Sequence, residues 1–574
     1  MAIKGNYMRP LVGLVSLVSL VLFASLGCSS AQSTATPLPP VQPAPAVAPP
    51  AAATAPTAVG VPGAPAPTVV AATPTRALPT STPASTGGPQ YGGTLRYACC
   101  VIQDNLDPHY TVRADTYKVL WALYDQLIHL DAKGDLVPEL AESWSISADG
   151  KTITFNLRKG VKFHDGTPFN AQAVKLNFDR MLDPNESSPR KVELTPYVQK
   201  VGVVDDNTFT VQLFAPLRPF LATLGSDRVG FIVSPTAVQK YGKDFGRYPV
   251  GTGAFTLSEW VPDIRWVVKR NASFWDKTKP YLDNVAFIGA PEQSVMLALL
   301  RTGEADMIEA PRPQDIPIVQ ANPNLDVGRM SGYRTTALHF NPSKPPFNNK
   351  ALRQAIAYAV DGKKFSELAY PNAGRQVYVL ERLGYAYNPD LKPMGFDQSK
   401  AKQKLAEAGF PNGVTIPSTC SSGSASIEQC DIVHAMLDQV GIKTTTRVIL
   451  ASDYYAAKGG FYVEVGLGPA TAMARRTDPH INIQRYFQTG AGNNYGNGYS
   501  NKELDKLIED AATEYDVAKA RALYTRIQQI IVGDDTIHVP YNEYDEFYPH
   551  TKAVQGFVPR IHGRTIVREL WLSK

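Results

Sequence analysis

The sequence DLVPELAESWSISADGKTITFNLRKGVKFHDGTPFNAQAVKLNFDRML occupies residues 135–182 and holds the strongest local signals of the chain. Apolar and polar residues alternate over residues 151–158, which predicts a half-buried β-strand. A turn is predicted just before it, because Asp149 can bond its own backbone and Gly150 accepts a positive φ. After a loop with glycine and proline, Asn170 is placed to cap a helix.

As a string, the same stretch resembles a known family signature. The motifs P-E-L-A-x-S-W, D-G-K-T-x-T-F-x-L-R-x-G-V-K-F-H-D-G-T-P-F and A-x-x-V-x-x-N-F-x-R are similar to those of the ABC transporter extracellular solute-binding proteins of the peptide/nickel class, solute-binding family 5. The resemblance implies an α/β, two-lobed periplasmic-binding-protein-like (Venus-flytrap) fold with an inserted subdomain in the first lobe. It implies that the protein captures a solute by hinge closure, without a cofactor and without catalysing a reaction.

Two further motifs extend the resemblance. L-D-P-H at residues 106–109 and P-V-G-T-G-A-F at residues 249–255 are similar to the family's first loop and to its return from the inserted subdomain. A phosphate-loop interpretation of the glycine pair fails, because the third glycine and the Gly-Lys-Ser/Thr sequence are both missing. We therefore predict no nucleotide site.

Apolar periodicity and glycine stops predict the remaining elements. A first strand is predicted over residues 91–98 and a later one over 441–448; helices are predicted over residues 117–130, 292–302, 397–409, 427–441 and 500–532, the last in two parts and capped at Ser500 or Asn501. The alternation of helices and strands predicts an α/β protein with largely parallel strand pairing.

The N-terminus reads as an export signal. Lys4 and Arg9 precede an apolar run over residues 11–27, as in a signal peptide. S-L-G-C, ending at Cys28, resembles a lipobox, although Ser25 stands where leucine is usual. We expect residues 1–27 to be a lipoprotein signal peptide and Cys28 to be lipidated, at the extracytoplasmic face of the cell membrane. The alternative is an uncleaved N-terminal anchor.

Residues 28–90 form the next unit. They are almost wholly Ala, Pro, Thr, Ser and Val, so they cannot bury enough apolar surface to offset the entropy of ordering. We predict a disordered tether. The rest of the chain is too long for one core, and two lobes are the default. The expected bounds are lobe I over residues 91–336 with an inserted subdomain at about 125–248, lobe II over 337–538, and a return to lobe I over 539–574.

Composition and motifs argue against nucleic-acid binding and catalysis. The net charge is +5 with only 19% charged residues, and no Lys/Arg run resembles a nucleic-acid groove. The nine histidines form no H-x-x-x-H pattern, and C-x-x-C and G-x-S-x-G are absent from the sequence, so neither a metal site nor a nucleophile is predicted. His164 and Asp165 are expected to have a structural role.

The cysteines fall into two pairs besides Cys28. Cys420 and Cys430 flank a Ser/Gly loop and are a disulfide candidate, which the export signal makes reasonable. Cys99 and Cys100 are adjacent, just after the first predicted strand. Structural thiols, a strained vicinal disulfide, and a metal or ligand contact are the three alternatives for this pair.

The resemblance also indicates ligand-binding residues. Peptide-binding members pair the ligand's α-ammonium with an aspartate in W-x-x-D-x-x-D-P; the corresponding segment here is A-M-A-R-R-T-D-P, residues 472–479. Asp478 is kept, whereas the ammonium-binding position is Arg475, with Arg476 as the other candidate. A guanidinium reverses the preferred charge and favours a carboxylate or phosphate.

Aromatic and acidic residues complete the predicted site. Tyr486 and Tyr499 are candidates to stack on the ligand. Tyr110, Asp115 and Phe220 lie at approximate positions of the family's first-lobe contacts.

The first functional hypothesis is a monomeric substrate-binding lipoprotein that delivers an oligopeptide, a saccharide, an anionic solute or another organic solute to an ABC permease and its ATPase subunits. A ligand-sensing receptor domain of the same fold is the alternative. An enzyme with a cleft is the third option.

Overall fold

A computed structural model describes residues 88–102, 105–111, 116–132, 134–226, 228–309, 311–377, 379–380, 386–392, 394–422, 424–449, 468–470, 478–491, 499–560 and 565–574. The expected leader, Cys28 and nearly all of the tether lie outside these residues. Among the described helices, none combines the length and apolar composition that a bilayer crossing needs.

Extended segments run from one end of the described chain to the other. The strands are β1 (Thr94–Cys100), β2 (Ile128–Leu130), β3 (Leu136–Pro138), β4 (Ala141–Ile146), β5 (Thr152–Leu157), β6 (Val198–Asp205), β7 (Thr208–Leu213), β8 (Phe255–Val261), β9 (Arg265–Arg270), β10 (Asn284–Gly289), β11 (Met307–Ile308), β12 (Leu325–His339), β13 (Gly374–Gln376), β14 (Val414–Ser421), β15 (Ile442–Ile449), β16 (Gly468–Ala470), β17 (His538–Thr551), β18 (Val554–Gln555) and β19 (Trp571–Leu572).

Helices alternate with these strands. They are α1 (Tyr117–Leu123), α2 (Ala171–Leu182), α3 (Lys191–Leu194), α4 (Phe220–Ser226), α5 (Pro235–Tyr241), α6 (Gln293–Thr302), α7 (Ile316–Gln320), α8 (Lys350–Ala359), α9 (Gly362–Ala369), α10 (Gln398–Glu407), α11 (Ser424–Asp438), α12 (Pro479–Phe487), α13 (Lys502–Thr513) and α14 (Val517–Gln528). A π-helical turn, Gln529–Asp534, continues α14, and short 3-10 turns occur at Arg228–Gly230, Gly242–Arg247, Pro313–Asp315 and Val567–Glu569.

The central sheet has the order β16-β12-β17-β11-β1-β10-β9-β8, with β13 added beside β17. Only β1 with β10, and β1 with β11, pair in parallel within it; the other pairs are antiparallel. The separate pair β14–β15 is parallel. The prediction of largely parallel pairing is therefore wrong, because hairpins and long returning strands, rather than helical crossovers, join most neighbours.

A second sheet, of order β4-β5-β7-β6, contains the strand predicted from the opening stretch. Phe155 on β5 packs on Phe209 of β7 with ring centroids 6.4 Å apart, and Phe178 of α2 covers Phe209 at 5.3 Å. Asn170 caps α2 by accepting a hydrogen bond from the Ala173 amide at 2.9 Å. The predicted turn, strand and capped helix are confirmed.

The buried side chains fall into separate clusters. One large cluster contains Leu338 and Phe547 and is otherwise built mainly from residues between 338 and 541. The other clusters draw on residues 95–330 and 548–570, and include Met330 and Tyr548. Strands β12 and β17 run from one group to the other, so these two strands carry the chain between two cores.

The two signature motifs H-D-G and G-T-G are joined in space. His164 donates its amide to the Gly251 carbonyl at 2.8 Å, and its Nδ1 accepts from the Gly251 amide at 3.2 Å. A Cβ at Gly251 or Gly253 would lie 2.3–2.4 Å from backbone atoms of Leu123, so both positions exclude a side chain. Burial lowers the pKa of His164. This histidine links two chain segments 87 residues apart.

The helix predicted over residues 117–130 is shorter than expected. It ends at Leu123, Tyr124 is extended, and the chain reaches strand β2 at Ile128. The reason is tertiary: Asp125 accepts hydrogen bonds from Arg568 at 2.7 Å and from Thr252 at 2.9 Å, which requires it to leave the helix. The prediction for the second half of that segment is wrong.

Arg568 also holds the segment that contains Asp125 and Glu139 to the C-terminal segment. It donates to Asp125 at 2.7 Å and to Glu139 at 2.5 Å, and all three side chains are nearly or fully buried. The indole of Trp275 donates to the same Asp125 at 3.0 Å. Burial raises the pKa of Glu139 to about 7, with Arg568 acting in the opposite direction.

Candidate ligand-binding site

The carboxyl ends of the parallel strands β1, β10 and β11 meet at one edge of the central sheet. Ligands of α/β proteins bind at such edges. Lys118 of α1 forms an ion pair with Glu309 at 2.7 Å just beyond β11, and both side chains are largely buried. The edge is therefore lined by a charge pair and, from β1, by Cys99 and Cys100.

A second ion pair follows Glu309 closely in the chain. Arg312 pairs with Asp315 at 3.0 Å. The pKa of Arg312 is raised first by Asp315 and, to a smaller extent, by Glu428 of α11. Glu428 belongs to α11, which follows β14 in the chain.

A second polar cluster joins two signature motifs. Arg180 donates to both carboxylate oxygens of Asp107, at 2.5 and 3.2 Å, which links N-F-x-R to L-D-P. The Cζ of Arg180 lies 4.8 Å from the ring centroid of Tyr110, whose hydroxyl donates to Glu186 at 2.5 Å. Burial, and then the charge of Arg180, lower the pKa of His109 to about 4, so this imidazole is neutral at pH 7.

Helix α12 contacts the connection between α3 and β6. The Tyr197 hydroxyl donates to Gln484 of α12. Nearby, Arg218 donates its amide to the Ala512 carbonyl at 2.9 Å and its guanidinium to the Glu514 carbonyl at 3.1 Å. These bonds connect the two cores at a distance from β12 and β17. These contacts could not be predicted from the sequence, because no motif marks Tyr197 or Arg218.

Asp478 begins the same helix. Its carboxylate accepts the His480 amide at 2.9 Å, and the side chain is buried. Asp478 therefore acts as the N-cap of α12, the helix that carries Gln484. This placement gives a structural reason for the Asp-Pro pair, since proline is well suited to the first turn.

The family model for bacterial extracellular solute-binding proteins, family 5, matches residues 135–493. The chain belongs to this family. The glutathione-binding protein GsiB of Escherichia coli (strain K12) is 29% identical over 464 residues, which cover 79% of this chain and 89% of that protein.

Solved structures agree with membership of family 5. The ABC transporter-associated periplasmic binding protein DppA from Helicobacter pylori, in complex with peptide STSA, has a TM-score of 0.76 and 26% identity, over 84% of this chain and 99% of that one. NikZ from Campylobacter jejuni, in complex with Ni(L-His), has a TM-score of 0.74 at 20% identity, over 83% of this chain and 99% of that one, which shows the fold alone.

These comparisons confirm the family, the two-lobed periplasmic-binding-protein-like fold and the class of function. As a family 5 protein, the chain is an extracytoplasmic substrate-binding protein of an ABC importer. Its relatives are binding proteins rather than enzymes.

Only some of the ligand-binding residues predicted from the sequence lie in the part of the chain that the structure describes. Arg475, Arg476 and Asp115 lie outside the described residues. Tyr110 and Asp478 have the partners given above. Their contact with a ligand stays a prediction.

The aromatic candidates lie in or against the cores. Phe220 is 1% exposed and lies in the buried cluster that contains Phe155 and Phe209. Tyr499 is 9% exposed, packs in the other core, and donates to Asp535 at 2.6 Å. Tyr486 is partly buried against that second core. These placements give Phe220 and Tyr499 packing roles, and their ligand roles also stay predictions.

The described cysteines differ in state. Cys420 and Cys430 form a disulfide between β14 and α11. Cys99 and Cys100 are free and buried. Among the described residues, no group of three or more His, Cys, Asp or Glu side chains is arranged to hold a metal ion.

Proposed function

We propose that this family 5 protein binds a short peptide or peptide-like solute that carries a free carboxylate. The observation that carries the proposal is the likeness to a glutathione-binding protein over 464 residues. The peptide complex of DppA, which is similar over 84% of this chain, supports it. Arg475, in the position where peptide-binding members have an aspartate, favours a carboxylate over an ammonium.

We further infer that hinge closure involves lobes with the bounds expected from the sequence: lobe I over residues 91–336 with its inserted subdomain at about 125–248, lobe II over 337–538, and a return over 539–574. The separation of the buried clusters on either side of β12 and β17 supports these bounds. The Tyr197–Gln484 bond would then form only when the lobes are closed.

We also propose that the protein is a monomer, lipid-anchored through Cys28 and tethered by residues 28–90, and that it releases its solute unchanged. The support is the lipobox-like sequence and the Ala/Pro-rich composition. Globomycin treatment, which blocks lipoprotein signal cleavage, should leave the leader attached, and Cys28→Ser should remove the lipid mass. An unchanged mass in both cases would contradict the anchor.

The solute is best identified by native mass spectrometry of the freshly purified protein. Calorimetry should then be done with glutathione, the peptide Ser-Thr-Ser-Ala and glucuronate. Binding of either peptide, recovered unaltered, supports the proposal. Binding of glucuronate alone would overturn the peptide class while leaving the family assignment intact.

We predict that Arg475→Ala weakens binding of the peptide found above by about tenfold or more, because loss of a charged clamp costs about 1.4 kcal/mol or more. The matched control is Arg265→Ala, since Arg265 is exposed and pairs with Glu259 at 2.7 Å on the β8–β9 hairpin. Calorimetric dissociation constants that rise equally in both variants, or that rise in neither, would remove Arg475 from the site.

A further inference from the structure

Cys99 and Cys100 occupy an irregular part of β1. Ala98 pairs with Ile288 of β10, whereas Cys100 pairs with Gly289, so Cys99 is an extra residue in the ladder. In a regular strand, successive side chains point to opposite faces. A bulge removes that alternation and turns neighbouring side chains towards the same side.

The bulge brings the two sulfur atoms together. The Sγ atoms of Cys99 and Cys100 lie 2.6 Å apart, and the side chains are 7% and 2% exposed. Gly289, opposite the bulge, has no room for a Cβ, which would lie 2.6 Å from the Asp263 carbonyl oxygen. The backbone opposite the bulge is therefore closely packed, and it holds the two thiols against each other.

We propose that Cys99 and Cys100 are a redox pair that closes to a vicinal disulfide under the action of a disulfide oxidant. Family 5 proteins work outside the cytoplasmic membrane, where disulfides form and persist, and Cys420–Cys430 is such a bond in the same chain. Burial raises the pKa of the Cys99 thiol, which slows its reaction in the folded protein.

The exchange balances in two steps. One protein thiolate attacks a sulfur of cystine, forms a mixed disulfide, and releases one cysteine, whose thiolate takes up the proton. The second protein thiolate attacks the protein-bound sulfur, forms the Cys99–Cys100 bond and releases a second cysteine. Two protein thiols are oxidised and one external disulfide is reduced to two thiols.

The site lies at the carboxyl edge of β1, and the charges of Lys118 and Glu309 both act on the Cys99 thiol, so closing the ring alters the backbone at the edge where that ion pair lies. The proposal does not depend on which solute the protein binds. A cystine–cysteine buffer is used below because glutathione is itself a candidate solute.

The test uses alkylation and peptide mapping to determine which cysteines have free thiols. Peptide mapping distinguishes Cys28 from Cys99 and Cys100. Full-length protein is reduced in denaturant, refolded in excess cystine, unfolded again and alkylated. We expect Cys99 and Cys100 to escape alkylation in one peptide that is two hydrogen atoms lighter. Formation of the Cys420–Cys430 bond in the same sample shows that oxidation took place.

Cys99→Ser and Cys100→Ser are matched controls, because each leaves one thiol without its neighbour. We expect that thiol to be alkylated or to carry a single cysteine. Alkylation of both thiols in the unsubstituted protein, while Cys420–Cys430 is oxidised, would overturn the proposal. A link from Cys99 or Cys100 to any other cysteine would also overturn it.

Discussion

Arg568 shows how a single buried residue can secure the chain end. Its guanidinium reaches Asp125 and Glu139, which are 0% and 2% exposed. Charges in such surroundings are costly unless each is paired and hydrogen-bonded. Thr252, Trp275 and the Gln126 amide complete the hydrogen bonding of the two carboxylates. The buried charges of this cluster are therefore stable only while all of their partners are present.

We predict that Arg568→Met lowers the free energy of unfolding by about 3–5 kcal/mol, because it leaves two buried carboxylates without their cation. The matched control is again Arg265→Ala, whose exposed ion pair with Glu259 is worth less than about 1 kcal/mol. Urea denaturation followed by tryptophan fluorescence measures both. Equal losses in the two variants would contradict the energetic role of this cluster.

Strands β12 and β17 are the elements that join the two cores, and they are paired from Leu325 and Thr551 at one end to His339 and His538 at the other. At that last pair, the two Nδ1 atoms lie 2.6 Å apart and both rings are buried. One nitrogen must donate its proton and the other accept it, and burial, which lowers the pKa of both rings, keeps both neutral at pH 7. Phe487 of α12 packs on His538 at 5.5 Å.

This histidine pair predicts acid sensitivity. Burial lowers the pKa of His538 to about 3, and burial with the neighbouring His538 lowers the pKa of His339. In the unfolded chain, both histidines bind protons below a pH of about 6.5, whereas in the folded chain they stay neutral. The stability that depends on their neutral form is therefore fully present above that pH and is lost as the pH falls. Each histidine contributes up to about 1.4 kcal/mol per pH unit.

The measurement is urea denaturation between pH 7.5 and 4.5, in the unsubstituted protein and in the double variant His339→Phe/His538→Phe. We expect a smaller loss of stability on acidification in the variant. Comparison at pH 7.5, where all rings are neutral, separates any packing change from titration. Identical pH dependence would mean that the pair titrates normally.

The whole molecule is a two-lobed binding protein, and the described residues join its cores through at least two kinds of contact. The β12–β17 ladder is covalently continuous with both cores. The hydrogen bonds from Tyr197 and Arg218 to α12, α13 and the residue after α13 are not part of this ladder. They can therefore break while the ladder stays intact. A solute binds tightly to the extent that it favours the closed state.

We predict that Tyr197→Phe weakens solute binding by about fivefold, because a hydrogen bond of about 1 kcal/mol is lost from the closed state only. Tyr91→Phe is the matched control, since the Tyr91 hydroxyl bonds the Thr278 carbonyl at 3.1 Å within one core. Calorimetry gives the affinity, and small-angle scattering gives the compactness of each form. An unchanged affinity in Tyr197→Phe would show that this bond does not depend on closure.

The sequence by itself determined the local elements and the family. Strand β5, the Asn170 cap and the helix stops at Gly303, Gly409 and Gly441 follow from short-range patterns, and the three glycines do have positive φ. These features depend on neighbours only a few residues away. The signature motifs gave the class of function in the same way.

Only the tertiary structure decided the end of α1, the antiparallel pairing of most strands, and the meeting of Asp125 with Arg568 across 443 residues. It also decided that Cys99 and Cys100 share one side of β1, through a bulge opposite Gly289. These outcomes depend on which distant groups are buried together. The free energy of burying a charge or a strand edge is larger than the local preference of a segment for helix or strand. Sequence patterns record only those local preferences.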